Sequence, residues 1–309
     1  MKFFKLLLSG ALFYLMAGNG FCQKGSERLK ILSEFKMEES VIYKTVNGKK
    51  LKLVLFLPKG EQKEKMPVML YTHGGGWRGG DVYKILKPAF LGALRQMSDA
   101  GIACASINYR LSKGGSTVED SVKDCKDAAR FLMKNGGRWN LDTEKMGIWG
   151  GSAGGHLALM TGLADNDLFL GDEKLKDENP EFRCVVSYYP LTSFTQMDLL
   201  KGSNFEDPTI FVPMLGGLPA EVPEVAKKLS PVSYISEKMP PVLLIHGEKD
   251  RVLPISQSKL FLELAKEAKA SVDFIAVRGA GHSLRGKRIS PSMEKVNASA
   301  AEFILENLK

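Results

Sequence analysis

The sequence predicts an α/β fold: a mostly parallel central sheet with helices on both faces and antiparallel strands at its start. Three observations carry this. Apolar strand-like runs alternate with helical stretches from residue 67 onward. Ahead of that alternation, Asn47-Gly48 separates two apolar runs, 41–46 and 51–57, and Asn-Gly between such runs signals an antiparallel hairpin. Lys145-Met-Gly-Ile-Trp-Gly-Gly-Ser152-Ala-Gly-Gly-His156 runs from a short apolar strand through a hard turn of small residues into a helix. At 309 residues, 44% of them hydrophobic, the chain can form one large domain with a substantial core.

Residues 1–22 read as a leader outside that domain. Lys2 and Lys5 form a positive start, and 6–17 is an apolar run too short for a membrane span of roughly 20 residues. Gly20-Phe21-Cys22 before Gln23 offers a small-x-small cleavage site. A cleaved secretory signal is expected, and the mature chain, secreted or periplasmic, is then a single domain over 23–309. A lipid anchor on Cys22 is the competing reading, although Phe21 directly before it fits a lipoprotein site poorly. No other apolar run is long enough to span a bilayer, so no membrane insertion is expected.

Residues 23–40 are polar and lack a long helical pattern. After the hairpin, 67–72 reads as a buried strand running into His73-Gly-Gly-Gly-Trp77. A helix fits 81–97, with Val82, Ile85, Leu86, Ala89, Phe90 and Leu94 at helical spacing. Strand 102–108 follows, then a helix over 118–135 with an apolar face that includes Val122, Ala128 and Leu132. The serine-bearing strand and its helix, to about 163, precede a charged surface excursion over 165–181 and a strand at 184–189. Over about 191–239 the alternation breaks. This stretch has few strand signals and scattered aromatics (Phe194, Phe205, Phe211), and reads as an insertion covering one end of the sheet. Strand 241–246, helix 255–268, strand 271–277 and a closing helix 290–308 complete the order, with no internal repeat.

The formal charge of +8 is spread through the chain without a basic stripe interleaved with aromatics, which gives nucleic-acid binding no support. Cys104, Cys125 and Cys184 remain after the leader. Three is odd, and strand positions suit buried thiols, so neither an essential disulfide nor a metal site or other cofactor is expected.

Gly150-x-Ser152-x-Gly154 has the spacing of a nucleophile elbow. A serine at the apex of a strand-to-helix turn takes a strained backbone and needs minimal neighbours two residues away. The helix that follows aims free N–H groups at its hydroxyl. Glycine-rich turns also occur in phosphate loops, so the rest of the site has to decide. A serine nucleophile needs a base and a group that orients the base. Of four histidines, His156 heads away from the tip, and His73 and His246 sit at strand ends where imidazoles brace loops. His282, in a glycine-rich loop after the last strand, can reach across the sheet edge. In His246-Gly-Glu248-Lys-Asp250, Asp250 is the expected acid, with Glu248 its alternative. The chain order Ser152, Asp250, His282 is that of α/β-hydrolases. Acyl transfer also needs donors where negative charge develops on the carbonyl oxygen. The amides of Gly75, Gly76 and Ala153 are the expected oxyanion hole, with Trp77 beside them as a substrate-facing aromatic.

His73–Trp77, Asn108-Tyr109-Arg110-Leu111, Gly150–His156, His246-Gly247-x-x-Asp250 and Gly281-His282 together resemble the secreted bacterial carbohydrate esterases of the α/β-hydrolase superfamily. Those include acetylxylan- and feruloyl-esterase-like enzymes, relatives of the hormone-sensitive-lipase-like esterases. The resemblance covers about residues 40–308 and implies an α/β-hydrolase fold and serine ester hydrolysis, without naming a substrate. Two departures from the lipase-like branch point to the carbohydrate side. Asn108 stands where that branch carries Asp, with Ser112-Lys113 in place of its Ala-Pro-Glu continuation, and residues 23–40 are too few for its helical cap. The implied substrate is a small-molecule or polysaccharide ester, such as acetylated xylan. An amidase or peptidase of prolyl-oligopeptidase-like or formamidase-like type is the enzyme alternative, and a binding module on an inactive hydrolase fold the non-enzyme one. Residues 191–239 lack the amphipathic run of a lipase lid, so short acyl groups are expected.

Overall fold

The computed structural model describes residues 28–308. The leader, and with it Cys22, lies outside the described residues. Among those residues no helix is long and apolar enough to cross a membrane.

The alternation builds one eight-stranded sheet in the order β1-β2-β4-β3-β5-β6-β7-β8. The hairpin forms as the Asn-Gly signal requires: β1 (Lys36–Val46) and β2 (Lys49–Leu57) pair antiparallel. The turn residues Asn47 and Gly48 both take positive φ (49° and 72°). β1 starts five residues earlier than the apolar run did (36 against 41), because its polar start still pairs with Leu55–Leu57. A helical stretch over 28–32 precedes it. β2 also pairs antiparallel with β4 (Ala103–Ile107), and the remaining pairs, among β3 (Met66–Thr72), β4, β5 (Leu141–Gly151), β6 (Cys184–Tyr188), β7 (Val242–Gly247) and β8 (Val272–Val277), are parallel.

Helices cover both faces. The core on one face takes in α2 (Val118–Asn135), α3 (Ala153–Leu163) and α4 (Ser256–Glu267); the other holds α1 (Pro88–Asp99) and α5 (Met293–Leu308). The helix expected over 81–97 is broken. A 3₁₀ turn, Val82–Leu86, ends at Lys87, which is extended (φ −70°, ψ 152°), and α1 begins at Pro88. The residue before a proline is kept out of the helical region, while proline itself suits the first helical position.

Strand order reverses at the centre of the sheet. From β3 the chain crosses to β4 on one side, then returns past β3 to β5 on the other. The carboxyl ends of β3 and β5 therefore flank the switch point, where α/β sheets open a crevice. His73–Trp77 leaves β3 there and Ser152 leaves β5. The stretch 191–239 consists of short helical turns, including Val212–Leu215 and Pro223–Lys228, without a long amphipathic helix. It is tied to the loop after β7 and to α4: Asn204 N donates to Arg251 O (2.8 Å), and the amides of Thr192 and Ser193 share the Gln257 Oε1 (2.8 and 3.0 Å).

Candidate active site

Ser152 stands between the end of β5 and the first residue of α3, with φ 59° and ψ −126°. Such a backbone persists only where its surroundings over-determine it. Here they do: Ser152 N donates to Tyr188 O (2.9 Å), and Ser152 O accepts from His156 N (3.0 Å). The elbow's glycines are sites of close approach. A Cβ on Gly150 would lie 2.5 Å from both Gly154 O and Thr72 O, and one on Gly154 would strike the Thr72 carbonyl. Only glycine lets β3, β5 and α3 meet this closely.

His282 Nε2 lies 3.0 Å from Ser152 Oγ, and its Nδ1 lies 2.8 Å from Asp250 Oδ2. The other carboxylate oxygen, Oδ1, accepts the amides of Val252 (2.8 Å) and Leu253 (3.0 Å). Burial alone would raise the Asp250 carboxyl, but hydrogen bonds from His246 and His282 outweigh it and hold the group well below the usual carboxylate range. Glu248 is exposed to solvent, so of the two candidate acids it is Asp250 that faces the imidazole. His246 braces this loop, accepting at Nδ1 from Ser258 Oγ (2.8 Å) and donating from Nε2 to Leu253 O (2.8 Å).

The glycine run after β3 bends sharply back beneath Ser152. Gly75 and Gly76 take φ 140° and 60°, and Gly75 O accepts from Arg78 N and Gly79 N (3.2 and 3.1 Å). None of the loop hydrogen bonds among the described residues is donated by the amide of Gly75, Gly76 or Ala153. The Gly74 carbonyl is held by Lys84 Nζ (2.9 Å) and His73 Nδ1 (3.1 Å). In a trans peptide the C=O and the next N–H oppose each other. These two donors therefore fix the Gly75 N–H in the opposite direction. His73 is stacked on Tyr109 (4.3 Å between ring centroids), whose hydroxyl donates to His73 O (2.5 Å). Burial lowers His73 to about 4, so it serves as a neutral donor.

Trp77 departs from its expected place. It is 1% exposed, with φ 54°, and its ring turns inward against His156 and Phe194. Its Nε1 donates to His156 Nδ1 (3.3 Å), while His156 Nε2 donates to Leu229 O (2.8 Å). It thus anchors the glycine loop to α3 instead of facing substrate. Phe194 and Phe211 are buried as well, and only Phe205 of the three insertion aromatics lines the serine pocket.

That pocket holds about 210 Å³ and brings in residues the sequence did not single out: Tyr71, Lys84, Lys87, Tyr189 and Ser283. Tyr189 has φ 39° and sets its ring edge-on to His282 at 4.9 Å. An aromatic at the end of the strand beside the elbow was its only sequence signal. The Tyr71 hydroxyl is buried without a hydrogen-bond partner among the described residues.

Comparisons agree with this architecture. Esterase LipC of Mycobacterium tuberculosis is 28% identical over 253 residues, covering 78% of this chain and 61% of its own length. A probable isoprenylcysteine alpha-carbonyl methylesterase of Oryza sativa subsp. japonica is 30% identical, covering 75% of this chain and 55% of its own length. The chain thus spans between half and two-thirds of these curated relatives. Among solved structures, a truncated carbohydrate esterase from gut microbiota superposes with TM-score 0.75 at 22% identity, covering 89% of this chain and 97% of that one. Esterase 2 of Thermogutta terrifontis gives 0.71 at 24%, covering 89% and 93%. The fold is that of the α/β-hydrolases. The BD-FAE family model matches residues 53–264, well over half of the chain, and the chain belongs to that family.

Proposed function

We propose that this protein is a serine carboxylic ester hydrolase that removes short acyl groups from carbohydrate, with Ser152 as nucleophile, His282 as general base and Asp250 as the acid that orients it. The observation that carries this reading is the relay of 3.0 Å from Ser152 Oγ to His282 Nε2 and 2.8 Å from His282 Nδ1 to Asp250 Oδ2, opening on a small pocket.

In this mechanism Nδ1–H donates to Asp250, leaving Nε2 free to take the Ser152 proton as Oγ attacks the ester carbonyl. The tetrahedral oxyanion forms under the amides of Gly75, Gly76 and Ala153. Collapse expels the alcohol, protonated by His282, and leaves the acyl-Ser152. Water, deprotonated by His282, then attacks that acyl carbon; the second intermediate releases the acid and restores Ser152. A pocket of about 210 Å³ suits an acetyl group or one slightly larger, below the range of sites built for large ligands. Release of acetate from acetylated xylan or its oligosaccharides fits a short-acyl site on a chain exported through the leader at residues 1–22.

The test has two arms. A fluorophosphonate should label Ser152, read by peptide mass spectrometry, and Ser152→Ala should abolish both labelling and turnover. kcat/KM across nitrophenyl esters of two to twelve carbons should peak at acetyl or close to it, alongside acetate release from acetylated xylan. Labelling elsewhere would overturn the nucleophile, and a maximum at eight carbons or longer without acetate release would overturn the substrate class.

A further inference from the structure

We propose that the alcohol portion of the substrate carries a carboxylate, bound between Lys87 and Arg285 beside the Ser152 pocket, so that acidic sugars are the preferred acyl carriers. This deepens the ester-hydrolase reading and rests on it.

The serine pocket adjoins a second depression of about 460 Å³, and Lys87, Tyr189 and Ser283 line both. Arg285 lies in the second depression with Leu284 and Ile289, which supply an apolar wall for a ring. Both cations are placed by features that also build the site. Lys87 is the extended residue forced out of helix ahead of Pro88. Arg285 follows His282 by three residues, in a turn closed by Gly281 N donating to Arg285 O (2.8 Å).

Among the described residues neither side chain makes a hydrogen bond or an ion pair. No Asp or Glu lines either depression. The carboxylate whose charge reaches Lys87 is Asp81, and its Oδ1 is engaged in capping Tyr83 N (2.8 Å). Lys84 adds positive charge, although its ammonium is committed to Gly74 O. Desolvation by the surrounding protein, followed by repulsion from Lys84 and Arg285, lowers the Lys87 ammonium from its ordinary value. An anion between the two would relieve that repulsion.

A uniformly basic surface is not the explanation. The depression of about 810 Å³ beside the 165–181 excursion mixes Asp165, Asp167 and Glu181 with Lys238. Positive charge without a carboxylate sets the serine side apart from that depression, and from the acidic one lined by Asp273, Glu302 and Glu306. The planar fork of Arg285 matches a carboxylate, and Lys87 supplies a second point charge. Low-dielectric walls around cations of one sign also concentrate anionic substrate at the mouth.

The experiment compares acetate release from an acetylated methyl galacturonoside and from the corresponding acetylated methyl galactoside at pH 7.5. The wild-type protein should favour the uronate in kcat/KM by about tenfold at 20 mM salt, shrinking to about twofold at 500 mM as the charges are screened. In the Lys87→Met/Arg285→Met protein the uronate-to-neutral ratio should fall to near one, whereas Lys238→Met, at the remote depression, should leave it at the wild-type value. Equal kcat/KM for the two sugars in the wild type, or a preference that survives the double substitution, overturns the inference while leaving ester hydrolysis standing. Turnover of neither sugar overturns the inference, and turnover that persists in Ser152→Ala overturns the ester-hydrolase reading and this inference with it.

Discussion

Asp250 divides its two oxygens between two tasks: Oδ1 holds the Val252 and Leu253 amides and shapes the loop, while Oδ2 faces His282. Asp250→Asn can keep the first with its amide oxygen, but then presents an NH₂ group to Nδ1 and favours the wrong imidazole tautomer. The expected outcome is a loss in kcat of about 10³–10⁴ with the fold retained. Glu248→Gln, at an exposed position, should stay within about twofold of wild type by the same assay, as surface changes away from a site usually do. Lys84 invites a subtler test. Its bond to Gly74 O fixes the orientation of the Gly75 N–H, an oxyanion donor in the proposed mechanism, so Lys84→Met should lower kcat about tenfold with KM little changed, less than the loss of such a donor outright. Lys84→Arg, which can still donate to that carbonyl, should recover part of the rate. A change confined to KM would show that Lys84 contacts substrate instead of positioning the loop. Ser152, Asp250 and His282 were legible as neighbours because each role in the proposed relay demands one residue type on a loop at the sheet edge. Trp77 was not, because adjacency to the glycines says nothing about a positive φ that swings the ring inward.

At the scale of elements, α2 shows why apolar periodicity reads only half of a helix. Its limits, Val118–Asn135, coincide with the pattern. The pattern could not reveal that Asp124, Lys126, Asp127 and Arg130 are buried too. Asp127 accepts from Lys44 of β1 (2.6 Å), from Arg130 (2.9 Å) and from the amide of Asp172 (2.9 Å). Asp124 holds Lys44 (2.7 Å) and Arg110 (2.8 Å), next to the Tyr109 that supports His73. This network clamps β1 and the 165–181 excursion to one helix; apart from Arg130, three residues on from Asp127, its partners are distant in sequence, and no local spacing announces them. Removing the Asp127 charge leaves Arg130 buried without a carboxylate and Lys44 with Asp124 alone. Asp127→Asn should therefore lower the unfolding free energy by about 3–5 kcal/mol, read from urea denaturation. A loss below about 1 kcal/mol would place the network in the range of solvated surface pairs. The same limit on local reading explains the broken helix before α1: the apolar spacing continued through Lys87, and the backbone constraint of Pro88 overrode it.

For the whole molecule, two buried histidines make stability depend on pH in a definite direction. His73 supports the glycine loop after β3, and His156 ties that loop, through Trp77, to α3 and to Leu229 of the insertion. Burial lowers each to about 4. In the unfolded chain each titrates near the usual value of about 6.5. Between those values the unfolded chain binds more protons at these histidines than the folded one, so their contribution to stability is complete above about 6.5 and is lost as pH falls toward 4. The loss from each histidine comes to about 2 kcal/mol at pH 5 and about 3 kcal/mol at pH 4. Asp250 does not confound this window. Its folded value is held down, so its contribution is lost only as pH falls below about 4, where unfolded carboxylates protonate. His156→Gln isolates one of the two, since a neutral amide can still accept from Trp77 and donate to Leu229. That variant should be less stable than wild type at pH 7 because its geometry is less well matched. The gap should narrow by about 2 kcal/mol between pH 7 and pH 5, because only the wild type loses the His156 contribution. Urea denaturation of both proteins at pH 7, 6 and 5 measures the gap directly. A constant gap would mean that His156 is protonated in the folded protein and that the Trp77–His156–Leu229 chain is not the neutral brace described.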